Sequence, residues 1–330
     1  MTVLVAPDSF KGTYTAAEVA DAIGGGVESA GGTAIRLPVA DGGEGTLDVL
    51  TVPLGLRPVV AGARNPWGSP CRPAYGMSED GTAVIEIAAA SGITTPHDGP
   101  RDAVTATTYG TGMLIADAAR RGARHIVVAA GGSATTDGGT GAIAAIEAGG
   151  GLRGASLTVL TDVTTRYIDA ATVFGPQKGA DPGTVQVLTR RLAAKAQSLP
   201  RDPSDVDGTG AAGGFSGGMW ARYDAELRSG ADYILDAIGF DILVGDASAV
   251  VVGEGRLDGQ TKAGKIISAI LTRTGTTPVY AVVGSVGDDI GEYRSRFADV
   301  LVATDRDAMH DAGRAVAARL TTGIGHPASG

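Results

Sequence analysis

The residues with the greatest chemical scope in this chain follow short apolar runs. "VLVA" at 3–6 leads into "PDSFKG", with Asp8, Ser9 and Lys11. "AIRLPV" at 34–39 leads into "ADGGEG", with Asp41 and Glu44. "HIVVAA" at 125–130 leads into "GGSATTDGG", with Ser133 and Asp137. "AVVV" at 249–252 leads into "GEGRLDGQT", with Glu254, Arg256 and Asp258. Glycine accompanies the polar groups each time, and it lets backbone amides approach an anion closely. Phosphoryl transfer needs carboxylates to hold magnesium, cations around the moving charge and a placed acceptor hydroxyl. Arginine and lysine also suit the carboxylate of a small organic acid. For any single aspartate before glycine, the plain alternative is turn capping.

Two lysines, Lys262 and Lys265, stand near the start of an expected helix that opens about Thr261. A cation there opposes the helix dipole, so either both side chains are solvated or an anion such as a phosphate joins them. Other motifs carry less. "GQTKAGKI" at 259–266 fits G-x-x-x-x-G-K but has Ile266 where a P-loop places Ser or Thr. "GTGAAG" at 208–213 fits G-x-G-x-x-G, yet "RDPSDVD" before it is no strand, so it reads as a turn entering a helix. The four histidines show no metal-ligand spacing.

Elements that could position these groups are legible in the pattern. Most of the apolar runs lack polar alternation, which suits parallel strands covered on both faces. Thr15 and Glu18 form a capping box before a stripe of Val19, Ile23 and Val27, although Gly24, Gly25 and Gly26 weaken that helix. A second helix is expected over 111–121, and a third carries Ile266, Ile267, Ile270 and Leu271. Residues 57–88 read as an antiparallel meander with turns at "NPWGSP" and "SEDG". The expected architecture is α/β. A doubly wound, Rossmann- or flavodoxin-like parallel-sheet domain comprises residues 1–56 and 240–330. A second α/β domain, 57–239, is inserted into it.

Length and composition agree. A chain of 330 residues exceeds the usual reach of one core. The net charge of −9 and the lack of a basic run argue against nucleic acid as a partner. No apolar stretch approaches a membrane span, and the start has no signal-peptide pattern. A single cysteine, Cys71, fits a reducing compartment, so a cytoplasmic protein is expected.

The motifs "APDSFKG", "VADGGEGT", "AAASG", "TTYGTGMLI", "GGSATTDGG", "FGPQKGA", "GAAGG" and "GEGRLDGQT", in that order, resemble the bacterial glycerate kinases of the glycerate 2-kinase type. The resemblance runs from residue 3 to about 285. It implies transfer of the γ-phosphate of ATP to D-glycerate, with magnesium, giving 2-phosphoglycerate. It also implies two α/β domains with the site in the cleft between them. On that footing Lys11 and Arg256 contact carboxylate or phosphate, and Asp41 or Asp137 orients the acceptor hydroxyl. Asp137 and Asp258 are the expected magnesium ligands. Asp8, Ser9, Gly42, Gly43, Ser133, Arg256 and Asp258 fall on the substrate, and Gly131, Gly132, Lys178, Lys262 and Lys265 on the nucleotide. The chain departs from the family pattern at Thr136 and Thr165, where asparagine is usual. Partners are then glycerate and ATP, in a monomer or homodimer. The rival readings are a kinase for another small hydroxy acid, a nicotinamide-dependent dehydrogenase and a carboxylic-acid-binding protein without turnover. The dehydrogenase is disfavoured because no G-x-G-x-x-G follows the first strand.

Overall fold

The computed structural model describes residues 1–258, 265–288 and 290–323. The chain forms two compact units. One comprises Met1–Asp41 and the chain from Ile234 onward; the other is Gly42–Tyr233. Residues 42–56, expected with the first unit, therefore group with the second. The reason is local: the Leu47 backbone N–H, in the short helix Thr46–Thr51, donates to Glu86 Oε1 at 2.9 Å.

Strands are numbered along the chain. The first unit holds β1 (Thr2–Pro7), β2 (Thr33–Arg36), β11 (Ala249–Leu257), β12 (Val279–Val286) and β13 (Asp299–Val302). They pair in the order β13-β12-β11-β1-β2, every pair parallel. Val3 to Ala6 and Ala249 to Val252 are fully buried, which is why those runs carry no polar alternation. β2 stops at Arg36, so only part of "AIRLPV" is strand.

From β1 the chain moves outward to β2, and it resumes on the other side of β1 at β11. The winding direction thus reverses between β1 and β11. In open parallel sheets such a reversal opens a crevice beyond the strands' carboxyl ends. β11 also runs further than the sequence suggests. Glu254 to Leu257 continue it, with Arg256 opposite Ser285 and Leu257 opposite Val286 on β12.

The helix Ala16–Ser29 carries the expected capping box, with Thr15 and Glu18 each accepting from the other's backbone. Its glycines have a packing reason. A Cβ on Gly26 would lie 1.9 Å from the His310 carbonyl oxygen, and one on Gly313 would lie 2.1 Å from that of Ile23. Glycine lets this helix and Arg306–Gly323 touch backbone to backbone.

The second unit holds β3 (Arg57–Val60), β4 (Ala63–Arg64), β5 (Pro70–Cys71), β6 (Ala74–Met77), β7 (Thr82–Glu86), β8 (His125–Ala129), β9 (Ser156–Leu160) and β10 (Glu226–Arg228). Six of them form a sheet in the order β10-β9-β8-β7-β6-β3. β7 to β10 run parallel, and β6 is antiparallel to both β7 and β3. β4 and β5 form a separate hairpin across "NPWGSP", and "SEDG" turns β6 into β7. The second expected helix is Tyr109–Arg120. Its Leu114 and Ile115 pack into a core with Ile85, Ile126, Val128 and Phe215. "GTGAAG" enters the helix Ala211–Tyr223 through left-handed Ala212, Gly213 and Gly214. The two ends of this unit meet. A Cβ on Gly42 would lie 3.0 Å from the Cα of Gly230, whose N–H donates to Asp162 at 3.0 Å.

Among the described residues no helix is long and apolar enough to cross a membrane.

Candidate functional site

The reversal between β1 and β11 collects one set of charged groups within the first unit. Asp8 follows β1 directly; its N–H donates to the Gly253 carbonyl at 2.9 Å. Its Oδ1 accepts from the Ser9 N–H at 2.6 Å. Burial, then the charge of Asp41, pushes its carboxyl up to about 6, against the opposing pull of Ser9 and Lys11. Glu254, on the extension of β11, is pushed up to about 8. Burial is the main cause, followed by Asp8 and Asp258, with Lys11 opposing them. Its Oε1 is buried and has no hydrogen-bond partner. Lys11 Nζ stands 3.8 Å from Asp41 Oδ2 with its side chain 75% exposed. Arg256 Nε donates to Asp258 Oδ2 at 3.2 Å, an exposed pair worth about 0–1 kcal/mol.

Asp41 thus repels Asp8, and Asp8, Asp41 and Asp258 all repel Glu254, with Lys11 and Arg256 among the cations near them. Two carboxyls are driven toward their neutral forms, and one buried oxygen is left without a donor. A divalent cation would relieve all three conditions, and hard carboxylate oxygens suit magnesium. Among the described residues, no group of three His, Cys, Asp or Glu side chains forms a metal site.

The second unit assembles a different set after β8. Gly131 packs against Gly43: a Cβ on it would lie 2.5 Å from the Gly43 Cα. Gly132 has φ +75°, and Ser133 bridges to Gly92. Asp137 is 1% exposed and acts as a clasp. Its oxygens accept from the N–H and hydroxyl of Thr108, the hydroxyl of Thr107 and the N–H groups of Gly139 and Gly141. Those donors pin the starts of the helices Tyr109–Arg120 and Thr140–Ala148. The catalytic and metal roles expected of Asp137 thus meet a carboxylate whose oxygens are already engaged.

Lys178 turns inward. Its ammonium donates to Ser133 Oγ at 2.9 Å and to the Thr135 carbonyl at 2.7 Å. Burial draws its pKa down to about 7, and the Asp137 charge works against that fall. The hydroxyls of Thr135 and Thr136 are buried without partners. Of the remaining expected contacts, Lys262 lies outside the described residues. The helix Lys265–Arg273 begins at Lys265, whose side chain is likewise outside them.

Sequence reasoning named Glu254 among the loop carboxylates but gave it no role. The available signal was a glutamate one glycine beyond an unbroken valine strand. The Asp137 clasp on Thr107 and Thr108 had no comparable signal, because its partners lie 30 residues and 29 residues away.

The family model described as the glycerate kinase family matches residues 3–151 and 147–322. A glycerate kinase of Bacillus subtilis is 38% identical over 329 residues, covering 88% of this chain and 86% of that protein. A glycerate 2-kinase of Escherichia coli is 34% identical over 331 residues, covering 88% and 87%. A crystal structure from Salmonella typhimurium LT2, named as a glycerate kinase 2, superposes with a TM-score of 0.84 at 32% identity, covering 98% of this chain and 99% of that one. Matches spread over nearly the whole chain make it a member of the glycerate kinase family.

Proposed function

We propose that this kinase transfers the γ-phosphoryl group of ATP to D-glycerate and yields 2-phosphoglycerate, with magnesium required. The observation that carries the reading is the set Asp8, Lys11, Asp41, Glu254, Arg256 and Asp258 around the β1–β11 reversal, in a chain of this family. Lys11 and Arg256 bind the carboxylate or phosphate oxygens through charge-assisted contacts. Asp41 holds the acceptor hydroxyl, and Lys11 restrains Asp41. Asp258 and Asp8 supply oxygens for magnesium, whose part when bound is to neutralise charge on the phosphates. Glu254, whose carboxyl is pushed up to about 8 by burial and the neighbouring carboxylates, would add a further oxygen beside such an ion. The enzyme works in the cytoplasm as a monomer or homodimer.

The test is a coupled ADP-release assay with D-glycerate, with and without magnesium, followed by phosphorus NMR of the product. Glycerate-dependent release that disappears on chelation is expected, with the phosphorus resonance coupled to the C2 proton. Release that is independent of glycerate would sink the reading, and a C3 phosphate would correct the regiochemistry.

A further inference from the structure

Lys178 has no carboxylate in ion-pair range among the described residues, although it is 8% exposed. An ammonium group buried without a counter-ion is costly, and the usual resolution is loss of the proton. The groups facing it are few. Ser133 Oγ and the Thr135 carbonyl accept from it, and the Phe174 ring centroid lies 5.9 Å away. Asp137 reaches it only by its field. With the amine neutral, the Ser133–Lys178 hydrogen bond reverses: the serine hydroxyl donates to the nitrogen lone pair. A serine held in this way is an activated nucleophile paired with its base. Lysines tuned toward neutral pH by burial serve in that capacity. Ser133 also sits in the turn that leaves the carboxyl end of β8, directly after left-handed Gly132.

We infer that Ser133 and Lys178 form a nucleophile–base pair, and that Ser133 accepts a phosphoryl group from a nucleoside triphosphate to become phosphoserine. This rests on the reading of the chain as ATP-using. The Ser133 oxygen attacks the γ-phosphorus, and an O–P bond forms. The bond between that phosphorus and the β,γ-bridging oxygen breaks, and the diphosphate leaves. The serine proton passes to Lys178 Nζ, which becomes an ammonium and later returns the proton to solvent. Ser133 is the catalytic residue of the pair, and Lys178 positions and deprotonates it.

The experiment has two arms on the full-length protein. In the first, a fluorophosphonate probe is applied from pH 5.5 to 9.5 and the labelled peptide is mapped by mass spectrometry. Labelling at Ser133 is expected to rise at least tenfold through a midpoint near 7. Ser133→Ala should abolish it. Lys178→Gln, which keeps a donor for the loop, should cut the rate at least tenfold and flatten its pH dependence. Circular dichroism verifies that both variants fold. In the second arm the protein is incubated with magnesium ATP and no glycerate, then digested. A phosphate on the Ser133 peptide, absent in Ser133→Ala, is expected. A Ser133 that ignores the probe at every pH, or a rate unchanged in Lys178→Gln, would overturn the pair. Probe labelling without phosphate from ATP, in protein that shows glycerate-dependent ADP release, would overturn the phosphoryl step alone. The probe arm needs no ATP, so failure of the proposed function is read separately.

Discussion

The two units handle buried charge in opposite ways. In the first, Asp8 and Glu254 sit among other carboxylates with few donors, and their carboxyls are pushed up to about 6 and about 8. In the second, Asp137 is more deeply buried, yet backbone amides and threonine hydroxyls occupy its oxygens. The same unit leaves a cation, Lys178, without a counter-ion. Donor supply, not depth, therefore separates a carboxylate that holds a fold together from one reserved for something else.

The contrast is easiest to break at Asp137. Asp137→Ala orphans several buried donors, each costing about 1–3 kcal/mol, so a loss of roughly 3 kcal/mol or more is expected in urea unfolding. Asp258→Ala should cost less than ~1 kcal/mol in the same measurement while slowing turnover more than tenfold. Equal stability losses in the two variants would erase the distinction.

Next in size is Lys11→Met. Its side chain is exposed and forms an ion pair with Asp41 at 3.8 Å. Removing a contact to charge that develops during transfer is expected to lower kcat by about a hundredfold or more. The melting temperature should stay within ~1 °C, as for ordinary surface changes. A collapse of both together would make Lys11 a structural residue.

The pH dependence of stability sharpens the comparison, because the two units should slope in opposite directions. Glu254 binds a proton in the folded state up to about 8, against a reference of 4.5. The stability it contributes is complete below the reference value and is lost as pH rises through about 8. Glu254→Gln should remove that loss and raise Tm at pH 9 by about 2–4 °C, with little effect at pH 4. Lys178 is depressed from 10.5 to about 7, so the unfolded chain holds the extra proton between those values. Stability from this group rises with pH across that window, and Lys178→Gln should flatten the rise. Slopes of the same sign would refute the contrast.

The smallest effect concerns Arg256 and Asp258. In folding, the coupling in the double alanine variant should not exceed ~1 kcal/mol. In turnover, each single change should cost more than tenfold. Extra magnesium should partly restore Asp258→Asn and leave Arg256→Ala unchanged. Normal kinetics in both would remove the end of β11 from the site.

How much of this was legible depends on how far the cause lies from the effect. β1, β8 and the first half of β11 were readable because burial on both faces leaves an unbroken apolar run. The box of Thr15 and Glu18 was readable because it closes within one helical turn. The extension of β11 was not, since Glu254 to Arg256 are held in the sheet by β12 and not by their own polarity. Gly26 reads as a weakness in its helix until His310 is placed against it. The resemblance alone put Lys178 on the nucleotide, through the motif "FGPQKGA". Its partners, Ser133 and the Thr135 carbonyl, are 45 residues and 43 residues distant. At the site the composition of the loops was visible, and what stayed hidden was which charges lacked donors.

The pairing of Val3 with Ala249 has a kinetic consequence. The central strands of the first unit cannot join until the whole insert has been synthesised. Closing so long an open loop costs entropy that grows with the logarithm of its length. The insert is continuous in sequence and needs no partner from outside itself to form its sheet. Once it folds, Gly42 and Gly230 come together, and the gap to be closed shrinks to a short stretch at each side. The insert then serves as a splint for the strands that flank it. Destabilising it, as with Asp137→Ala, should slow formation of the β1–β11 pair even though every residue of that pair is unchanged. Stopped-flow refolding would read this as a slower phase for the first unit.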